Sequence, residues 1–297
     1  MNILRRKEAR PMGGKVREHK GMVRHPAFGL LTLLIFLSMA VTAVAGQFAD
    51  ADAAYARGDY ATAYRLLKPL AEQGNARAQY DLGFMHEKGQ GVPKDDVEAA
   101  KWYRKAAEQG NAIAQVNLGF MYDKGQGVPK DDVEAVKWFR KAAEQGIPKA
   151  QFNLGIMYER GKGVPQDYAE AVKWLRRAAA QGYTKAEYNL GFMYAKGQGV
   201  PKDDVEAAKR WRKAAEEGFA RAQYNLGFMY DTGQGVPKDY IQAYMWFSIA
   251  ASRFHESERE NRELAVKSRN LVASKMTPAQ IAEAQRLAKE WKPTKMK

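Results

Sequence analysis

The sequence predicts an all-α fold, a solenoid of antiparallel helix pairs, and three observations lead there. Glycine and proline recur with a period of 36 residues: Gly83, Gly119, Gly155, Gly191 and Gly227 inside LGFM or LGIM, Gly74 to Gly218 at a second phase, and Pro93 to Pro237 at a third. Each unit carries two apolar stripes of helical period separated by a Gly/Pro turn. A hairpin of this size cannot bury its own stripe, so neighbouring units must stack.

The copy that begins at Asn111 justifies each element in turn. Its first helix spans about Ala112 to Lys124 and stops at Gly125, a residue free to adopt the left-handed conformation that ends helices. GQGVPK then forms a turn. Asp131 follows as N-cap with Glu134 three residues on, the spacing of a capping box. The pair recurs as Asp95/Glu98, Asp167/Glu170, Asp203/Glu206 and Asp239/Gln242. The second helix runs to about Gln145 and ends at Gly146. Its stripe is Ala135, Trp138, Phe139, Ala142 and Ala143, with Lys137, Arg140 and Lys141 outside. The first helix buries Ala114, Leu118 and Met121. Gly119 sits mid-helix, where glycine costs about 1 kcal/mol against alanine. Its return in five copies points to close helix–helix contact. Substitution to leucine is then expected to overpack, and substitution to alanine to be close to neutral.

The ends differ from the middle. Five units fill 75–251, and 59–74 matches only the second half of one, so 46–74 reads as an N-terminal capping half-repeat. Residues 252–297 read as C-terminal capping helices. The first is a charged helix over 256–275 with a thin stripe at Leu264, Leu271 and Val272. The second opens at Thr277-Pro278-Ala279-Gln280, with Ile281, Ala284, Ala288 and Trp291 as its apolar face.

Residues 1–45 read as an export signal. The stretch 1–25 is basic, an uncharged apolar run extends from Ala27 to Ala45, and it closes on Ala43-Val44-Ala45, the small-x-small pattern of a cleavage site. Initiation at Met22 gives such a signal its ordinary length. The run also suffices to span a bilayer, so a retained N-terminal membrane anchor is the alternative. Localisation is thus periplasmic or secreted, or membrane-anchored facing the periplasm, and a membrane enters only if the segment is kept.

The net charge of +14 gathers at the ends: +6 falls in 1–45, +5 in 252–297 and only +3 between. That distribution offers no basic stripe for displacing counterions from nucleic acid, which is excluded as a partner. The chain has no cysteine, hence no disulfide, thiolate nucleophile or Cys-ligated zinc. Of four histidines, His86 stands where other copies have Tyr122, Tyr158, Tyr194 and Tyr230, and reads as a packing substitute. The Asp pairs fall at helix starts and read as caps. The GQG loops lack the Lys-Ser/Thr of a phosphate loop and read as turns. No catalytic set, metal site or cofactor is expected, and the chain is expected to be a monomer.

One constellation suggests binding. With Asn75 and its equivalents as repeat position 1, first-helix positions 3, 6, 10 and 13 share a face opposite the Leu stripe. Positions 6 and 10 are apolar throughout: Tyr80/Phe84, Val116/Phe120, Phe152/Ile156, Tyr188/Phe192 and Tyr224/Phe228. Position 3 is Arg77, Ile113, Lys149, Lys185 and Arg221, and position 13 is mostly acidic. The face is either an aromatic floor for a partner, edged by charge, or a surface packed between adjacent first helices. Position 10 is the better candidate for exposure.

The motif AIAQVNLGFMYDKGQGVPKDDVEAVKWFRKAAEQG resembles the Sel-1-like repeat, a relative of the tetratricopeptide repeat with a slightly longer loop. The resemblance covers all five copies and the leading half-unit. It implies a right-handed superhelix that serves as a scaffold or adaptor for a protein or peptide, with the aromatic face lining a concave groove. A regulatory subunit of a cell-envelope enzyme is a second reading, and a hydrolase of envelope polymers or β-lactams a disfavoured third. Some secreted relatives carry a cysteine pair in each repeat and are linked to penicillin binding or hydrolysis; without cysteine, that activity is not carried over. One departure is Arg210, which stands where other copies have Trp102, Trp138, Trp174 and Trp246, with Trp211 one place on to take up part of the volume.

Cleavage after Ala45 is expected to leave Gly46 as the N-terminus, which the intact mass of the protein from the producing cell checks. A mass that retains 22–45 indicates the anchor.

Overall fold

A computed structural model describes residues 45–294, and among them every regular element is helical. The expected export segment lies outside the described residues as far as residue 44. One compact unit begins at Asp50. Helix α1 covers 45–56 and α2 Tyr60–Glu72. The five full hairpins follow as α3 (Ala76–Lys88) with α4 (Asp96–Glu108), α5 (Ala112–Lys124) with α6 (Asp132–Glu144), and α7 (Pro148–Arg160) with α8 (Tyr168–Ala180). Then come α9 (Thr184–Lys196) with α10 (Asp204–Glu216), and α11 (Ala220–Thr232) with α12 (Tyr240–Arg253). A 3-10 turn over Glu256–Glu258, α13 (Arg259–Ala273) and α14 (Pro278–Glu290) close the chain. From α2 to α12 each helix packs along its sequence neighbours, which is an α-solenoid of antiparallel pairs.

The helix ends obey local chemistry. Gly125 ends α5 at φ +70°, and its N–H donates to the Met121 carbonyl. The Asp131 carboxylate accepts from the Val133 and Glu134 amides, as Asp95, Asp167 and Asp239 do from the equivalent amides of their helices, while Asp203 accepts from the Glu206 amide. The reciprocal half of the expected capping box is absent at these aspartates. The Asp131 N–H donates instead to the Tyr122 carbonyl at 3.0 Å, and Glu134 turns outward to Lys137. The loop thus satisfies the cap's own N–H by folding back on the first helix, and the glutamate has no donor left to meet. The full box forms at Thr277/Gln280, where no such loop precedes the helix.

The hairpin interface is where the glycines act. A Cβ at Gly119 would lie 2.8 Å from the Phe139 ring, at Gly83 2.6 Å from Tyr103, and at Gly227 2.9 Å from Phe247. Leu175 takes that place against Gly155 and Trp211 against Gly191. Trp211 therefore fills the site of Phe139, not the site of the missing tryptophan. Its indole N–H donates to the Tyr188 carbonyl at 3.0 Å. The second-helix stripe and Ala114, Leu118 and Met121 are all buried as expected.

Two further contacts hold repeat to repeat. The second loop glycine takes positive φ against the start of the preceding second helix; a Cβ at Gly163 would lie 2.1 Å from the Asp132 carbonyl oxygen. Buried glutamines bridge three helices: Gln115 donates to the Ala107 carbonyl at 3.0 Å and accepts from Gln145 at 2.7 Å. Gln79 and Gln151 repeat the pattern. In the fourth repeat Glu187 stands at this position. A carboxylate cannot donate to a carbonyl, and here it accepts from Arg210 at 3.1 Å and Lys213 at 2.5 Å. Arg210 at the tryptophan site is thus the counter-charge of a buried glutamate.

The C-terminal stripe differs from expectation. Val272 is buried on α12 with Ala265, whereas Leu264 and Leu271 are exposed at 46% and 60%. Two small residues seven apart let α13 approach closely, and that orientation turns the leucines outward. On α14, Ala284 is buried and Ile281, Ala288 and Trp291 pack half-buried against α12 and its neighbours. Trp291 meets Trp246 edge to face at 5.9 Å between centroids.

The glycine contact revises the expectation for alanine. At position 155 the new Cβ would sit 2.9 Å from Leu175 Cγ and 3.2 Å from the Ala171 carbonyl oxygen, and at 191 2.3 Å from the Trp211 nitrogen. Overpacking of this kind costs about 1–3 kcal/mol, more than the propensity gained. Thermal melts should show Gly191→Ala clearly destabilised, Gly155→Ala less so and Gly155→Leu most. An unchanged Gly191→Ala would refute the contact.

Candidate partner-binding face

Helical periodicity places positions 3, 6, 7, 10 and 13 together, and the structure separates their roles. Position 6 turns toward the next repeat. Val116 is 3% exposed, Phe152 meets Tyr183 at 5.1 Å, and Tyr188 meets Phe219 at 4.9 Å. Tyr80 and Tyr224 are half-buried against Tyr103 and Phe247. Phe152 and Tyr188 thus reach the following repeat, whereas Tyr80 and Tyr224 pack on the second helix of their own hairpin.

Position 10 leans on its own hairpin and keeps one side open. Phe120 packs edge-on against Phe139 at 5.0 Å and Phe192 against Trp211 at 5.3 Å. Phe84, Phe120 and Ile156 are half-buried, while Phe192 and Phe228 reach 36% and 46% exposure. Openness thus grows toward the C-terminal end.

The edge cations fall into different states. Arg77 binds Asp52 at 2.7 Å and lies 3.7 Å from Asp81. Lys149 lies over the Phe120 ring at 4.6 Å, a cation–π contact that partly covers it. Lys185 is exposed. Arg221 is drawn to Glu258 at 2.8 Å. On the opposite edge Glu87 accepts from the Tyr103 hydroxyl and Asp231 pairs with Lys275. Burial raises the Glu159 carboxyl above its ordinary range, against the pull of Arg160.

Position 7 was not singled out by apolar periodicity, yet it lies between positions 6 and 10 on this face. It is Asp81, Asn117, Asn153, Asn189 and Asn225, and the 36-residue recurrence of a polar residue before LG is the signal that marks it. Asn153 and Asn189 donate to the carbonyls four residues back. The Asn225 side-chain nitrogen is buried and has no partner. Asp81 lines a cavity of about 360 Å³ with Asp52, Tyr55, Tyr80 and Phe84. Burial pushes its carboxyl up to about 6; Arg77 opposes the shift and Asp52 adds to it.

His86 is packed as a substitute for tyrosine. Its ring meets Tyr64 edge-on at 5.6 Å, and burial lowers its basicity. No group of three or more His, Cys, Asp or Glu among the described residues is arranged to hold a metal. No helix among them is long and apolar enough to cross a membrane.

The Sel1 repeat model matches six consecutive segments, 48–75, 76–111, 112–147, 148–183, 184–219 and 220–253. The chain belongs to the Sel1 repeat family. A Sel1 repeat protein from Oxalobacter formigenes is 36% identical over 81% of this chain and 98% of its own, with a TM-score of 0.70. The protein c5321, a protective antigen present in uropathogenic Escherichia coli strains and displaying an SLR fold, is 36% identical with a TM-score of 0.72. That alignment covers 86% of this chain and 56% of the antigen. No match was found among curated proteins. Sel1 repeat proteins are in general protein-interaction scaffolds, and the Sel1 fold is typically non-enzymatic.

Asp81 generates a test of the site's electrostatics. Its folded-state acidity is weakened, so its stabilising contribution is full below pH 3.8 and is lost as pH rises through about 6. Asp81→Asn, which matches four other repeats, should raise stability at pH 7.5 by about 1–2 kcal/mol and change little at pH 4. Melts at the two pH values check this. An equal effect at both removes the buried carboxyl as the cause.

Proposed function

We propose that this Sel1 repeat protein is an exported adaptor that binds a peptide or protein segment on the face formed by its first helices. The observation that carries the reading is the position 10 row: Phe192 and Phe228 are large, exposed and set on rigid helices. Aromatic side chains of that kind give much contact area for little lost rotamer freedom. A helix apolar on two sides must be covered on both or offer one to a ligand. The position 6 row answers the first demand and the position 10 row the second.

The apolar run closing on Ala43-Val44-Ala45 supports export, to the periplasm or beyond. In this reading 1–45 is the signal, 46–74 and 252–297 cap the array, and 75–251 presents the face. The near-neutral charge of the repeats supports a protein partner over nucleic acid. The polar capping helices suit a monomer.

A photo-crosslinking residue at position 192 should trap a partner of defined mass in the producing cell. One at position 173, on the outer side of α8, should trap none. Phe192→Asp should weaken capture of that partner by position 228 while the melting temperature stays near that of the parent. Adducts from position 173 alone, or loss of capture in step with loss of stability, would sink the proposal.

A further inference from the structure

Four features converge between the fourth and fifth repeats. First, the cover over the aromatic row is withdrawn there. Lys149 lies over Phe120, but Arg221, its equivalent for Phe192, is held by Glu258, and no further repeat supplies a cation over Phe228. Second, Ala195 stands where other copies have the acids Glu87, Asp123, Glu159 and Asp231, which opens the wall there and leaves Asp204 as the acid lining the cavity, paired with Lys202 at 3.5 Å. Third, a cavity of about 410 Å³ lies between Phe192 and Phe228, with Lys196 on its rim making no ion pair among the described residues. Fourth, the Asn225 side chain lines that cavity and the adjoining one at Leu264, and its amide nitrogen is buried just behind the surface without an acceptor. A buried donor left unpaired is costly, and a ligand carbonyl that reaches it recovers that cost.

We infer that this pocket anchors an extended partner segment through one large apolar side chain set between Phe192 and Phe228. A backbone carbonyl of the segment accepts from Asn225, and a carboxylate beside the apolar residue meets Lys196. The inference rests on the reading that the first-helix face binds peptide, and it names the subsite and the chemistry it selects. The charge follows from the wall: with alanine at 195, Asp204 already paired with Lys202 and Lys196 left without an ion pair, a carboxylate is matched and a second cation repelled. The apolar requirement follows from the exposed sides of the Phe192 and Phe228 rings.

The probe is the eight-residue peptide GSGFEGSG, acetylated and amidated, titrated into the full chain and followed by amide and aromatic NMR signals. The signals of Phe192, Phe228 and the Asn225 side chain should move together. Replacing Phe–Glu by Ala–Glu or by Phe–Lys should each weaken binding about tenfold or more. Asn225→Leu, which removes the donor without adding a charge, should weaken it comparably while the melt stays near the parent's. Equal binding of the Phe–Glu and Phe–Lys peptides, or full binding by Asn225→Leu, would overturn the inference. Shifts confined to Phe84 and Phe120 would overturn it and leave the broader reading intact. No shift anywhere on the first helices would overturn both. A dimer in sedimentation that Phe228→Asp disperses would assign the pocket to a second copy of the chain and overturn it likewise.

Discussion

At Gly119 the backbone of one helix lies bare against the ring of Phe139, and the rest of the repeat is arranged around that contact. With any side chain at 119 the two helices must part, and Leu118 and Met121 would lose their fit against the Ala135–Ala143 stripe. The contact also fixes how the first helix is rotated. Phe120, next in sequence, is carried to the edge of the same ring. Val116, one turn back, is carried into the buried core shared with the neighbouring repeats. A single close approach thus decides which apolar row becomes packing and which stays partly open.

Between repeats the joints are polar, and this makes them specific. A glutamine that donates to one helix and accepts from another has one position that satisfies it, unlike an apolar side chain that tolerates sliding. The loop glycine adds a steric stop against the preceding carbonyl. The fourth repeat keeps the geometry with other chemistry: Glu187 and Arg210 replace glutamine and tryptophan, and Lys213, at a position that is basic in Lys105, Lys141 and Arg177 too, turns to the buried carboxylate. Arg210 without Glu187 would look like damage to the core. As a pair they replace one set of satisfied contacts by another.

The two ends of the first-helix face are chemically unlike. At the N-terminal end Asp81 and Asp52 lie beside Tyr80 and Phe84 with Arg77 between them. At the C-terminal end Asn225 and Lys196 lie beside Phe192 and Phe228. An array of identical repeats would bind a segment in any register. Graded substitutions at positions 7, 10 and 13 thus give this face two distinct ends, which under the proposed function would tell a segment from its reverse.

The sequence by itself determined the helices, their ends and the repeat, because these rest on local rules. Glycine at 125 ends a helix wherever it sits, aspartate at 131 caps one, and a 36-residue recurrence leaves only stacking as the way to bury Trp138 and Phe139. The face itself was also legible, since positions 3, 6, 10 and 13 follow from helical geometry alone. What depended on distant residues was not. Whether Phe192 is covered depends on where Glu258 pulls Arg221, thirty-seven positions along the chain. The outward turn of Leu264 and Leu271 depends on how closely Ala265 and Val272 let α13 approach α12. The role of Arg210 depends on Glu187 in another helix. Local chemistry sets what each segment is, and only the packed chain decides which of its side chains are still free to meet a partner.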